Sequence, residues 1–187
     1  MKKIFLVLIC LLLVTSYIAA DIEIDVGLSA GVNGIINNSE DEEVTGSLLE
    51  NMGFEIGVFT DIAFSEFLSI QFELNYLRLN KTYSYSFYYG WGGSYTFEDT
   101  FTMDLFEIPI LAKLNLGNFN LFFGPALSMN ITYDGPWEVL WEFGAGYALP
   151  VGEYGKLVFD LRFRVSDSYS DGFDTIGLRL GYALFLY

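Results

Sequence analysis

Carboxylates are the main chemical resource of this chain: 24 Asp and Glu stand against 9 Lys and Arg, with no histidine and one cysteine, Cys10. Without histidine there is no Ser-His-Asp or Cys-His catalytic group, and one cysteine gives neither a disulfide nor a His/Cys zinc site. What remains is acid–base work between two neighbouring acids of shifted pKa, or an ion path lined by carboxylates. The acids Glu23, Asp25, Glu55, Glu73, Glu107, Glu142 and Asp160 and the bases Lys113, Arg162, Arg164 and Arg179 all fall between apolar residues. Charges removed from water need partners. The expected use of this set is therefore a charge network filling a lumen, with no catalytic residue, no metal site and no cofactor.

The elements that would hold such a network are strands. From Asp21 onward the chain alternates with a period of two, which sends successive side chains to opposite faces. Ile22, Ile24, Val26, Leu28, Ala30 and Val32 alternate with Glu23, Asp25, Gly27, Ser29, Gly31 and Asn33. Seven more segments follow the same rule, with minor lapses at Phe59 and Thr60, ending with Ile176 to Leu186. Eight strands, most of about ten residues or more, suit a tilted membrane strand better than a soluble sheet. Pro109 and Pro125 predict local bulges. The predicted fold class is all-β, an eight-stranded antiparallel up-and-down transmembrane β-barrel.

Residue size sets the direction of the faces. The polar face carries glycine, alanine and serine beside its charges, whereas the other carries Phe, Leu, Ile, Trp and Tyr, and an eight-stranded barrel has room inside for modest side chains only. The bulky face must point outward, and so apolar a band requires lipid. The reverse orientation would place basic groups in hydrocarbon at up to ~2–4 kcal/mol each at the midplane. Tyr76, Phe101, Tyr133 and Trp137 near one set of strand ends, and Phe119 and Tyr147 near the other, are the expected interfacial aromatic girdles.

Lys2, Lys3, the apolar run Ile4 to Val14 and the small residues Ala19 and Ala20 have the three-part layout of a signal peptide. Residues 1–20 are thus the expected leader and 21–187 the expected barrel domain. The acidity of the chain, −15 at pH 7, makes nucleic acid a poor partner. Export, acidity and the lack of cysteine beyond the leader fit a bacterial outer membrane.

The segments Phe106-Glu107-Ile108-Pro109-Ile110-Leu111-Ala112-Lys113-Leu114, Phe123-Gly124-Pro125-Ala126-Leu127 and Phe143-Gly144-Ala145-Gly146 carry a family likeness. With them the chain resembles the PorT-like outer-membrane β-barrel domain family, related in architecture to the small OmpA-like and OmpX-like barrels. The resemblance covers most of the mature chain and implies an eight-stranded barrel. Outer-membrane barrels usually end on an aromatic in phase with the outward face, and Tyr187 is out of phase with Leu186 and Leu184.

Small outer-membrane barrels that act as enzymes rely on a histidine base, so an enzyme is not expected. The aromatic stretch Asn80 to Thr100, with Tyr85, Tyr88, Tyr89, Trp91 and Tyr95 among glycines, reads either as an interaction loop or as an extension of two strands beyond the membrane. The acidic loop Glu40 to Glu43 and the connection Asp167 to Asp174 are expected to be solvated, since Tyr169 and Leu178 fill positions where an EF-hand has ligands. The expected protein is a monomer with a filled lumen. It acts structurally or as a surface interaction or adhesion protein, touching outer-membrane lipid and the barrel assembly machinery. An extracellular protein or glycan partner is left open. A narrow porin-like channel for ions or small solutes is the alternative, and a soluble carrier of apolar ligands a third.

Overall fold

The computed structural model describes residues 22–37, 51–89, 93–133, 135–166 and 174–186. The expected leader 1–20, Glu40 to Glu43, Trp91, most of the connection Asp167 to Asp174, and Tyr187 lie outside them. The strands are β1 (Glu23–Asn37), β2 (Met52–Ala63), β3 (Leu68–Tyr89), β4 (Gly93–Leu116), β5 (Phe119–Asn130), β6 (Trp137–Val151), β7 (Gly155–Ser166) and β8 (Asp174–Leu186). Each pairs antiparallel with its sequence neighbour, and β1 pairs with β8, giving a closed, eight-stranded up-and-down barrel. Closure leaves no free edge in the wall, which backbone in hydrocarbon requires.

Three short turns lie at the end that carries the chain's first and last described residues. Gly117 and Asn118 form a two-residue turn between Leu116 and Phe119, and Gly117 takes a φ of 66°, a left-handed conformation that glycine adopts without steric penalty. Gly152, with a φ of 71°, does the same in the turn from β6 to β7. At the other end β3 and β4 outrun the wall. Pairing of β2 with β3 stops at Phe54–Arg78 and that of β4 with β5 at Leu105–Asn130, yet β3 and β4 remain paired out to Tyr89–Gly93. At ~3.3 Å per residue this hairpin projects roughly 35 Å beyond the Arg78 level. Of the two readings of Asn80 to Thr100, the strand extension is the one the structure adopts.

The predicted bulges at the prolines are not there. Ladder pairing is interrupted beside Pro109 and Pro125, but the register on either side is unchanged; it shifts only between Ile35 and Asn37, on the β8 side of β1. Proline withholds one N–H from the ladder without adding a residue, so the strand passes through with a gap and no offset.

Large apolar side chains splay outward along every strand. Phe54, Phe72 and Trp141 are 42%, 44% and 41% exposed, and the half-buried Phe163 stacks on Phe143 with ring centroids 5.5 Å apart. The outward apolar run from Leu178 to Leu186 on β8 spans nine residues, a membrane strand's length.

Candidate functional site

The bore is the chemically distinctive region. Inward positions on seven of the eight strands carry buried charge, and the shallow width of the barrel brings these groups within contact across it. Glu73 of β3 receives Arg162 of β7 at 2.7 and 2.9 Å and Arg179 of β8 at 2.6 and 3.0 Å. Because β3 and β7 lie four strands apart in an eight-strand ring, the Arg162–Glu73 pair crosses the full bore. Arg162 also pairs with Glu142 and Asp160, and Asp160 accepts from Arg179 at 2.7 Å. Gln71 and Asn75 donate to the same Glu73 carboxylate from its own strand.

One level nearer the long-hairpin end, Arg164 donates to Glu55 at 2.6 Å and to Asn33 at 2.9 Å, and lies 3.2 Å from Glu107. Toward the short-turn end, Lys113 bridges Asp61 at 2.7 Å and Gln71 at 2.8 Å, and Lys156 meets Asp25 at 2.5 Å. Glu55, Glu73, Glu107, Glu142 and Arg162 are at most 2% exposed. The acids come chiefly from β1 to β4, whereas all three guanidinium groups come from β7 and β8.

Of the residues predicted for this network, Asp25, Glu55, Glu73, Glu107, Lys113, Glu142, Asp160, Arg162, Arg164 and Arg179 are all brought inside. Glu23 is the exception: it is exposed at the end of β1, beyond the last inward partner. Asp61, Lys156 and the amides of Asn33, Gln71 and Asn75 belong to the network and had not been singled out, although their alternation on the polar face was visible.

At the ionic mid-levels two aromatic rings also sit in the bore, against the expectation that bulky groups all face outward. Phe59 lies under the Arg179 guanidinium at 5.5 Å, and Phe122 under that of Arg162 at 5.0 Å, both as cation–π contacts. Glycine opposite makes the room: a Cβ on Gly27 would collide with the Phe59 ring, and one on Gly144 with Phe122. The signal was present as a lapse in alternation at Phe59.

No family model and no curated protein matches this chain. Among solved structures, it is similar to a de novo designed transmembrane β-barrel (TM-score 0.45, 10% identity, covering 88% of this chain and 95% of that one). It is also similar to Ail, the attachment invasion locus protein of Yersinia pestis, solved in complex with the heparin analogue sucrose octasulfate (TM-score 0.44, 11% identity, 88% and 97% covered). These likenesses concern the path of the barrel alone.

Above the ionic levels the bore changes character. Inward positions there hold Leu77, Leu79, Met103 and Ile35, all at most 5% exposed, with Leu105 packed against them. A cavity of about 440 Å³ opens beside this layer on the β4 to β7 side, with Glu107, Arg164 and Thr175 at its floor. Phe101 corrects the girdle prediction: it shares the inward alternation of Met103 and Leu105, lines the cavity, and stacks on Tyr133 at 5.3 Å. Tyr133 likewise stands at the cavity rim. Tyr76 and Trp137 face outward, as do Phe119 and Tyr147, whose rings meet edge to face at 4.9 Å.

The outward face ends in polar chemistry at the same height. Arg78 grips Asp104 through two hydrogen bonds of 2.7 and 2.9 Å, and the Tyr76 hydroxyl donates to the same carboxylate at 2.8 Å. These donors hold the Asp104 carboxyl below its ordinary range, with Arg78 the larger cause. An outward ion pair marks where the apolar band stops. Farther out, Tyr89 and Tyr95 are 70% and 69% exposed on the hairpin. Tyr85 and Tyr88 lie in its β3 strand, with side chains outside the description.

Chemically, the bore offers little to a reactant. Each acid at its centre faces a guanidinium at contact distance and is closed to solvent, and among the described residues no group of three or more His, Cys, Asp or Glu is disposed to hold a metal ion.

Proposed function

We propose that the chain is an integral outer-membrane barrel of a bacterial envelope whose plugged bore serves rigidity and whose projecting β3–β4 hairpin serves surface interaction. The carrying observation is the pairing of a lipid-facing apolar wall with a bore closed by Arg162, Arg164, Arg179 and their carboxylates. A conducting pore needs a continuous water path, and a carrier needs an apolar centre; this bore has ion pairs at its middle. The hairpin contributes exposed Tyr89, Tyr95 and Phe97 on two strands that pair with each other out to Tyr89–Gly93, a surface suited to a protein or glycan partner. The leader 1–20 supports export, and the short-turn end is assigned to the periplasm.

Cysteine substitutions test the orientation, since the only native cysteine, Cys10, falls in the leader. With a membrane-impermeant maleimide on intact cells, Tyr95→Cys is expected to label and Gly117→Cys to remain unlabelled until the envelope is opened. Equal labelling of both, or the reverse pattern, defeats the assignment. Steady, reproducible conductance steps from the pure protein in a planar bilayer would favour the channel reading instead.

A further inference from the structure

The cavity at the mouth of the bore is built differently from everything beneath it. Its wall is apolar, supplied by Leu77, Leu79, Met103, Leu105 and Leu140, and Phe101 and Tyr133 stack at its lip. Its floor is polar, and incompletely satisfied. Glu107, Arg164 and Thr175 are 1%, 2% and 3% exposed, and Glu107 Oε2, Arg164 Nε and Thr175 Oγ1 have no hydrogen-bond partner among the described residues. Glu107 Oε2 and Arg164 Nε stand 3.2 Å apart but are misaligned for a hydrogen bond. Ser128 reaches the other oxygen of Glu107 only at 3.5 Å.

A buried polar atom without its hydrogen bond is costly, so the two acceptors at this floor, Glu107 Oε2 and Thr175 Oγ1, are a standing attraction for a ligand head that donates, while Arg164 Nε keeps only its ion-pair contact with Glu107. Apolar walls closing on a few convergent polar atoms are the usual form of a small-molecule site, and about 440 Å³ falls within the usual size range. From this geometry we infer that the mouth of the barrel is a binding site for a compact amphiphile, an apolar body carrying a protonated amine at one end.

Charge selects the amine. Arg164 is the one cation at the floor, and it is already committed to Glu55, Glu107 and Asn33. In the network beneath the floor five carboxyl groups, of Glu55, Glu73, Glu107, Glu142 and Asp160, face three guanidiniums, of Arg162, Arg164 and Arg179, which leaves acid in excess. An ammonium entering over Glu107 would find an acceptor in Oε2 and in Thr175 Oγ1, whereas a carboxylate would meet like charge. A neutral hydroxyl would gain hydrogen bonds without the charge attraction. The site stands on the cavity itself and does not depend on which compartment the mouth faces.

The test uses three rigid probes of one shape: 1-adamantylamine, 1-adamantanol and 1-adamantanecarboxylate. Each is titrated into the full-length protein in lipid nanodiscs, with the Met103 methyl signal read by NMR. The amine is expected to give a saturable shift of Met103, with an affinity at least tenfold above that of the alcohol and with the carboxylate weaker still. Glu107→Gln is expected to lower amine affinity by about tenfold and to leave alcohol affinity within twofold. Leu105→Trp, which fills the cavity, is expected to abolish the shift while the spectrum of the β5–β8 wall stays in place. Absence of a saturable Met103 shift with all three probes overturns the site. Equal affinities for amine and carboxylate, or an amine response that survives Leu105→Trp, overturn it equally.

Discussion

Two levels of one bore, built on the same strands and the same inward positions, are held together by opposite means. At mid-height, charged side chains from opposite walls grip one another around Glu73; a few residues higher, Leu77, Leu79 and Met103 occupy the equivalent inward sites and pack as hydrocarbon. Strand alternation therefore sets which way a side chain points but not what chemistry the interior has. The level along the axis decides that. Where lipid surrounds the wall, the bore is filled by ion pairs that cross it; near the outward Arg78–Asp104 pair, where the lipid-facing band ends, the interior becomes apolar and leaves a void.

The contrast breaks most sharply at its ionic level. Glu73→Leu leaves Arg162 and Arg179 without their shared carboxylate in a solvent-free bore, and removal of one partner from a buried pair costs about 3–5 kcal/mol. Urea unfolding in lipid vesicles should show that loss; a change under 1 kcal/mol would mean that the remaining acids rearrange to serve both guanidiniums. Leu79→Ala tests the apolar level. It is expected to cost roughly 2–3 kcal/mol in the same assay, toward the low end for a buried leucine because the cavity nearby already limits its contacts. If the two substitutions cost the same and respond alike to salt, the distinction between the levels fails.

Gly144→Val asks whether the aromatic rings in the bore depend on glycine opposite. Its side chain would meet Phe122 and the Leu161 carbonyl, and overpacking of this kind costs about 1–3 kcal/mol. A neutral result would show that Phe122 can turn away from Arg162. The smallest effect is expected at the rim. The Asp104 carboxyl is held below its ordinary value by Arg78 and Tyr76, so its contribution to stability is present above the unfolded-state pKa near 4 and is lost as pH falls through the lower folded value. Asp104→Asn should be slightly less stable than the parent at pH 6, and that difference should vanish as the pH approaches 2 in thermal unfolding scans. A difference that persists at pH 2 would assign the effect to packing instead of charge.

The barrel was legible in the sequence because period-two alternation survives in all eight strands, and residue size distinguishes the lipid side from the bore. Most of the ionic network was legible for the same reason at mid-strand, where a charge lies between outward Phe and Leu; near the mouth the rule inverts, and Arg78 and Asp104 point outward between the inward Leu77, Leu79, Met103 and Leu105. Glu23 was misplaced because alternation continues past the last inward partner. Phe59 and Phe122 were missed because their accommodation depends on Gly27 and Gly144 on neighbouring strands, a relation that no single strand displays. Phe101 and the apolar inner layer were missed for a related reason: an outward and an inward leucine look alike where β3 and β4 leave the membrane and both faces carry apolar residues. Prolines were over-read, because a missing donor and an extra residue leave different marks on a ladder.

The order of charges along the chain bears on how the protein is made. Acids dominate the inward face of the first four strands, and the three guanidiniums of the bore, those of Arg162, Arg164 and Arg179, wait on the final two. A nascent or truncated polypeptide ending before β7 would hold Glu55, Glu73 and Glu107 with no counter-ion but Lys113. The wall and its electrostatic latch are thus completed by the same event, arrival of the C-terminal strands, which disfavours half-built cylinders and makes insertion close to all-or-none.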